Sequence, residues 1–167
     1  MSVCPLVREE VHFGFNLSED VNAHLQRAAA LVSSRQDAMG ALRRALQTSP
    51  EQLETLVASY KLHFYNGDLE EAEKFVFQAL IKAALQGGFN HDWRYLDAQS
   101  TDWGDPRGAA RIYLYSLKAL AFIRLRQKMF RNARKILDAL EIIDPDVLVG
   151  ADVIRELHNG LCEQGAV

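Results

Sequence analysis

The chain has 167 residues, of which 49% are hydrophobic and 25% charged, and its formal net charge at pH 7 is −3. This composition suits one domain with a buried core, and the net charge provides no general attraction to nucleic acid or an anionic membrane. Apolar runs are too short to span a bilayer, and the N-terminus lacks the basic start and apolar stretch of a signal peptide. We therefore expect a cytoplasmic protein.

Residues 1–16 show no helical periodicity and are predicted to be an N-terminal arm, packed on the first helices or disordered. Residues 17–163 are predicted to form a single helical domain, and residues 164–167 a short tail. The two cysteines, Cys4 and Cys162, lie near opposite ends and indicate no disulfide framework.

Amphipathic stretches at about 18–32, 50–65 and 106–127 each precede a second helical segment with a recurring pattern. An alanine is followed by an apolar residue four positions on and by a small or apolar residue three beyond that. This spacing places all three side chains on one helix face, where alanine lets a neighbouring helix approach. The first two triplets are 34 residues apart, and the three triplets are Ala38, Leu42 and Ala45; Ala72, Val76 and Ala79; and Ala133, Leu137 and Leu140.

Local signals mark where these helices end and begin. Asn66-Gly67-Asp68 predicts a tight turn between two helices. Ser49-Pro50, Asp105-Pro106 and Asp144-Pro145 each combine a capping side chain with a proline suited to the first helical position. Residues 146–163 are predicted to form one more amphipathic helix, which caps the open end of the core.

The segments "NGDLEEAEKFVFQAL" and "LKALAFIRLRQKMFRNARKILDALEIIDP", with the 34-residue period, resemble the tetratricopeptide repeat (TPR) family. The resemblance covers roughly residues 19–86 and 114–147. It implies an all-α fold of antiparallel hairpins stacked as a short right-handed superhelix. Two positions depart from the family, since Tyr60 replaces a small residue and Lys128 replaces the turn glycine. The alternative is a generic helical bundle in which the alanine spacing is accidental.

The resemblance also implies that the first helix of each hairpin lines a concave inner surface. On this acidic chain, that surface gathers basic and aromatic residues, which suits a peptide with acidic and apolar groups. Alternatively, the aromatic rings fill the hairpin core while the basic side chains extend into water. The predicted groove residues are Arg27, Lys61, Phe64, Tyr65, Tyr115, Lys118, Phe122 and Arg126.

Residues 87–105 form an insert between the second and third hairpins and contain both tryptophans. Trp93, Tyr95 and Trp103, together with Leu96, are predicted to form a hydrophobic cluster that holds this loop on the helices. The loop then either covers one end of the groove or offers aromatic side chains to a partner. Its aspartates lack the alternating spacing of a calcium-binding loop.

The sequence offers little support for catalysis, a metal or a cofactor. It has no glycine-rich phosphate loop and no G-x-S-x-G motif. His158 and Cys162 are four residues apart and could meet on one helix face, yet two ligands are too few for a structural zinc site. His63 is better explained as a buried histidine or one at the groove rim than as a catalytic one.

We therefore expect a non-catalytic, bacterial-type TPR adaptor or chaperone whose partner is another protein, with no nucleic acid and no membrane involved. Its size also resembles the class II chaperones of type III secretion, although the insert departs from their regular tandem. One alternative is a structural protein that self-associates, for example as a homodimer. Another is an enzyme or metal protein centred on the insert.

Overall fold

The computed structural model describes residues 35–49 and 52–163, and this part of the chain is all-α. It contains six α-helices and a single turn of 3-10 helix at Trp93–Tyr95. The predictions for residues 1–34, Pro50, Glu51 and residues 164–167 lie outside the described residues. The helices are α1 (Arg35–Thr48), α2 (Leu53–Tyr65), α3 (Leu69–Gly87), α4 (Ala109–Arg126), α5 (Phe130–Ile143) and α6 (Asp152–Glu163).

Each helix packs on the next one in the chain, and α6 also contacts α4. The predicted all-α stack of helical hairpins is therefore confirmed. All nine residues of the alanine and apolar pattern are buried, and none is more than 1% exposed. The pattern thus marks the core-facing sides of α1, α3 and α5, where alanine permits close helix contact.

Within the described part of the chain, two hydrophobic clusters hold the stack together. The larger one extends from α2 to α6 and includes Leu117, Leu120 and Ile136. The smaller one joins α1 to α2 and consists of Ala38, Leu42, Ala45, Ala58 and Leu62. Most of the described core therefore lies on the C-terminal side of α1.

The turns after α2 and α4 close in the same way. Gly67, at φ 82°, donates its N–H to Phe64, and the next residue donates to His63. Lys128, at φ 61°, donates to Leu125, and the next residue donates to Arg124. Lys128 therefore takes the left-handed conformation that glycine favours at such a turn.

Three helices begin later than their proline signals predict. α2 follows Gln52, whose ψ of 129° is extended. α4 follows Gly108 rather than Asp105, because the Asp105 carboxylate accepts the N–H of Arg107 at 2.9 Å and closes a separate turn.

The start of the last helix differs most from the prediction. Residues 146–151 are not helical, and α6 begins at Asp152. Val147 (φ 53°) and Gly150 (φ 64°) both have left-handed backbones, which interrupt a helix. The Asp144 carboxylate accepts the N–H groups of Leu148 at 2.9 Å and Val149 at 3.1 Å, so it stabilises a loop instead of capping a helix.

Within the part of the chain that the structure describes, no helix combines the length and apolar character needed to cross a membrane.

Candidate functional site

A groove of about 680 Å³ lies between α2 and α4. Both helices pack on α3, so the groove lies between two neighbours of that helix. Pro106 and Arg107, which follow the insert, and Ile154 of α6 complete its walls. The lining residues are Glu54, Val57, Tyr60, Lys61, Phe64, Tyr65, Pro106, Arg107, Arg111, Ile112, Tyr115, Lys118, Ala119, Phe122, Ile123 and Ile154.

The structure brings the predicted groove residues of α2 and α4 together. Arg126 lies at the edge, where its guanidinium carbon is 5.6 Å from the centroid of the Phe64 ring. Arg27 is outside the described residues. The predicted residues that line the groove directly are Lys61, Phe64, Tyr65, Tyr115, Lys118 and Phe122.

The aromatic residues of the groove have two different environments. Phe64 and Phe122 are half-buried and meet across the two helices, with ring centroids 5.0 Å apart. By contrast, Tyr65 is 74% exposed and Tyr115 is 43% exposed. The phenyl rings therefore join α2 to α4, while the two tyrosines remain accessible to another molecule.

The surroundings of Tyr60 explain how the fold accepts a bulky residue at this position of α2. Only 3% of Tyr60 is exposed, and it lies against α4 beside Ser116. Burial raises the pKa of Tyr60 to about 12, although the Ser116 hydroxyl opposes this change. The ring fills the space between α2 and α4 that a smaller residue would leave.

Two lysines face each other across the groove. Loss of hydration lowers the pKa of Lys61 below its usual range, and the positive charge of Lys118 lowers it further. Loss of hydration also lowers the pKa of Lys118, while the nearby Asp152 carboxylate partly restores it. Lys118 donates a hydrogen bond of 2.5 Å to the backbone oxygen of Val149.

Arg111 is a groove residue that the sequence interpretation missed. It donates to the backbone oxygens of Leu148 at 3.1 Å and Gly104 at 3.2 Å. Its Nε atom is buried and has no hydrogen-bond partner among the described residues. Arg111 lies four residues before Tyr115 and seven before Lys118, so helical spacing could have assigned it to the same face.

The groove is basic although the whole chain is acidic. Among the residues that the structure describes, its lining contains four cationic side chains, those of Lys61, Arg107, Arg111 and Lys118, and one carboxylate, that of Glu54. Because like charges gathered in one groove repel one another, an anionic group that enters the groove would lower the free energy of this arrangement. The groove is thus suited to an acidic ligand that also offers apolar surface to the tyrosines.

The tryptophans of the insert face the helices. Trp103 is 6% exposed, and its Nε1 donates to the backbone oxygen of Asp97 at 3.0 Å. Its ring contacts Phe89, with centroids 5.2 Å apart. Trp93 is half-buried against the larger cluster. The hydroxyl of Tyr113 in α4 donates to the backbone oxygen of His91 at 2.7 Å, which ties the loop to the stack.

The predicted aromatic cluster is wrong for Tyr95, which is 74% exposed, although it holds for Trp93, Leu96 and Trp103. Trp93 and Tyr95 lie two residues apart in the same short 3-10 turn. Because such a turn has three residues per revolution, their side chains point in different directions. Residues 87–105 are not among the lining residues of the groove, whose wall on this side begins at Pro106.

The aspartates of the insert shape its backbone. Each accepts the backbone N–H two residues further along the chain, at 2.9–3.1 Å. This geometry is that of an Asx turn, in which the carboxylate replaces a backbone acceptor. Among the described residues, no group of three or more His, Cys, Asp or Glu side chains could hold a metal ion. The four aspartates are Asp92, Asp97, Asp102 and Asp105.

The two histidines considered above have structural contacts. His158 is 4% exposed, its Nε2 lies 3.2 Å from the backbone oxygen of Phe130, and its Nδ1 lies 3.7 Å from the Cys162 sulfur. His63 stacks on Phe75, with centroids 5.4 Å apart. His158 thus joins α6 to α5, and His63 joins α2 to α3.

Comparisons with protein-family models, with curated proteins and with solved structures gave no match in any of the three. The function of the groove is therefore inferred from its own residues.

Proposed function

We propose that the protein is a non-catalytic protein-interaction module of the TPR type, an adaptor or chaperone that binds a peptide segment of a partner between α2 and α4. The main support for this proposal is that accessible tyrosines and four cationic side chains line one groove of an acidic chain. Aromatic and arginine side chains contribute much of the affinity of protein interfaces. Carboxylates of the partner would receive charge-assisted hydrogen bonds.

The dimensions of the groove support a peptide as occupant. Helix α4 has 18 residues, which at 1.5 Å per residue gives a wall about 27 Å long. An extended strand of about eight residues covers that length at 3.3 Å per residue. Tyr65 and Tyr115 would bury apolar side chains of such a segment at low entropic cost, because each has only two side-chain torsions.

The direct test uses a capped eight-residue peptide of glutamate and leucine, with a lysine and leucine peptide as the opposite-charge control. We expect the acidic peptide to bind and the basic peptide not to bind in fluorescence anisotropy. The variant Lys61→Glu/Lys118→Glu should weaken acidic-peptide binding at least tenfold, since two favourable charge contacts become repulsive.

The matched control is Lys74→Glu/Lys135→Glu, which changes the net charge equally on exposed outer positions of α3 and α5. Circular dichroism would verify that both variants are folded. A pull-down from cell extract with the same variants then identifies natural partners. If the folded groove variant binds the acidic peptide as wild type does and keeps every partner, the groove is not the binding site.

Self-association is a second candidate, favoured by an exposed apolar stripe on α3. Phe77 is 41%, Ile81 is 52% and Leu85 is 75% exposed, and their four-residue spacing aligns them along one face. Light scattering over a range of concentrations should show a dimer that Ile81→Glu dissociates. A wild-type monomer at high micromolar concentration would eliminate this candidate.

A further inference from the structure

Two cations of the groove also hold the loop that leads into α6. Lys118 donates to the backbone oxygen of Val149 at 2.5 Å, and Arg111 donates to that of Leu148 at 3.1 Å. Both donors belong to α4 and line the groove. The carbonyl groups of this loop therefore already accept hydrogen bonds from two of the cations that line the groove.

The same two residues of the loop are held from the other side. The Asp144 carboxylate accepts the N–H groups of Leu148 and Val149 at 2.9 and 3.1 Å. Asp144 and Val149 are each only 3% exposed. Asp152, at the first position of α6, adds a negative charge that attracts the Lys118 ammonium. Residues 148–152 thus offer the groove cations two carbonyl oxygens and one carboxylate.

We propose that residues 148–152 are an intramolecular competitor for the acidic occupant of the groove, so that occupancy loosens the start of α6. This inference rests on the proposed function. A carboxylate is a stronger acceptor for an ammonium group than a neutral carbonyl. A carboxylate placed beside Lys118 would also repel Asp152. Because such coupling is reciprocal, the docked loop in turn lowers the affinity of the groove for its ligand.

The loosening is confined to the beginning of α6, because the rest of the helix has other attachments. Arg155 forms ion pairs with Asp138 at 2.9 Å and Glu141 at 3.2 Å in α5. His158 is buried against the backbone of Phe130. The amides expected to respond are those of Leu148 and Val149, bonded to Asp144, and those of Ile154 and Arg155, bonded to the Ala151 oxygen.

Amide hydrogen exchange measured by NMR tests the proposal, with the capped acidic octapeptide as probe. At saturation we expect exchange to accelerate several-fold at the responding amides and to remain unchanged in the last turn of α6. Without peptide, Lys118→Met should accelerate exchange at Leu148 and Val149 about tenfold, as expected for the loss of a charged hydrogen bond. Lys135→Met, at an exposed position on α5, is the control and should leave exchange at Leu148 and Val149 unchanged.

The outcomes separate this inference from the proposed function. If the acidic peptide binds while exchange at the responding amides stays the same or slows, the competition is disproved and the binding groove stands. If Lys118→Met exchanges like wild type, the lysine does not hold the loop and the inference fails. If the peptide does not bind at all, the groove assignment fails and this inference with it.

Discussion

Lys128 occupies a backbone conformation that costs most residues energy. At φ 61° its side chain crowds the neighbouring carbonyl, which for residues other than glycine costs about 1–2 kcal/mol. The turn tolerates this cost because it closes α4 with the same hydrogen bonds that Gly67 and its neighbour make after α2. Position 128 is thus strained in the native state by its residue type alone.

Replacing Lys128 with glycine should therefore stabilise the protein. We expect the free energy of unfolding in urea to rise by about 1 kcal/mol, because relief of strain exceeds the entropy that glycine adds to the unfolded chain. Lys128→Ala, which keeps a Cβ, should stay within about 0.5 kcal/mol of wild type. Gly67→Ala should lower the free energy of unfolding by about 1 kcal/mol. An equal gain for Lys128→Ala would mean that the lysine charge, not the backbone, is responsible.

Tyr60 makes stability depend on pH in the alkaline range. Burial raises its pKa from 10.0 to about 12, so the folded state holds this proton longer than the unfolded state. Its contribution to stability is complete below pH 10 and is lost as pH rises towards 12, at about 1.4 kcal/mol per pH unit for one proton. Tyr113 adds to the effect because burial, aided by the charge of Asp92, raises its pKa as well.

Tyr60→Phe removes one of these titrations and keeps the ring. In urea unfolding between pH 9.5 and 11.5, the slope of the unfolding free energy with pH should be smaller than in wild type by up to about one proton. Tyr65→Phe, which removes a hydroxyl at an exposed position, is the control for the substitution itself. Identical slopes for all three proteins would contradict a raised pKa at Tyr60.

At the scale of elements, the insert is an ordered connection and not a free loop. Asx turns set its path, and Trp103 packs in the larger cluster against Phe89 and Tyr113. The insert thereby contributes to the core that supports α4, one of the two walls of the groove. Its aromatic residues separate by role, since Trp103 is buried and Tyr95 projects into solvent.

Substitutions of Trp103 and Tyr95 should therefore differ in their effect on the free energy of unfolding. Trp103→Ala is expected to lower the free energy of unfolding by about 3–5 kcal/mol, the usual range for a buried aromatic residue. Trp103→Phe keeps much of the packing but loses the hydrogen bond to Asp97, at a cost of about 1 kcal/mol or more. Tyr95→Ala should remain within about 0.5 kcal/mol. Thermal denaturation would compare them, and a small loss for Trp103→Ala would contradict the packed position of the insert.

At the scale of the whole molecule, the described core is unevenly distributed. The larger cluster links α2 through α6, whereas five of the described buried residues join α1 to α2. Local opening free energies follow the amount of buried apolar contact. Within the described residues, the contacts that join α1 to α2 should therefore open more readily than those among the helices that form the groove.

A matched pair of leucines tests this difference. Leu42 in α1 is 1% exposed and Leu117 in α4 is fully buried. Leu42→Ala should accelerate hydrogen exchange in α1 and leave the protected amides of α4 nearly unchanged. Leu117→Ala should lower hydrogen-exchange protection in all the helices, because it reduces the free energy of global unfolding by about 2–5 kcal/mol. Uniform loss of protection in the Leu42 variant would show that the molecule unfolds as one unit.

The sequence by itself predicted the helical elements, the turn at Gly67, and the sides of α1, α3 and α5 that face the core. These are local properties, because a spacing of four and then three residues places side chains on one face whatever surrounds the helix. The same geometry, with the family resemblance, placed Lys61, Phe64 and Tyr65 opposite Tyr115, Lys118 and Phe122. That the groove binds a partner stays a prediction.

The tertiary structure decided what depends on contacts between distant residues. Asp105 and Asp144 have the side chains of helix caps, yet their carboxylates close turns and loops, so α4 and α6 begin later. Burial separates Trp103 from Tyr95 although both lie in one aromatic-rich segment. Arg111 and Lys118 reach backbone oxygens 37 and 31 residues away. Such pairings follow from how the helices stack, because the energy of a hydrogen bond or a buried ring depends on which neighbours the fold brings to it.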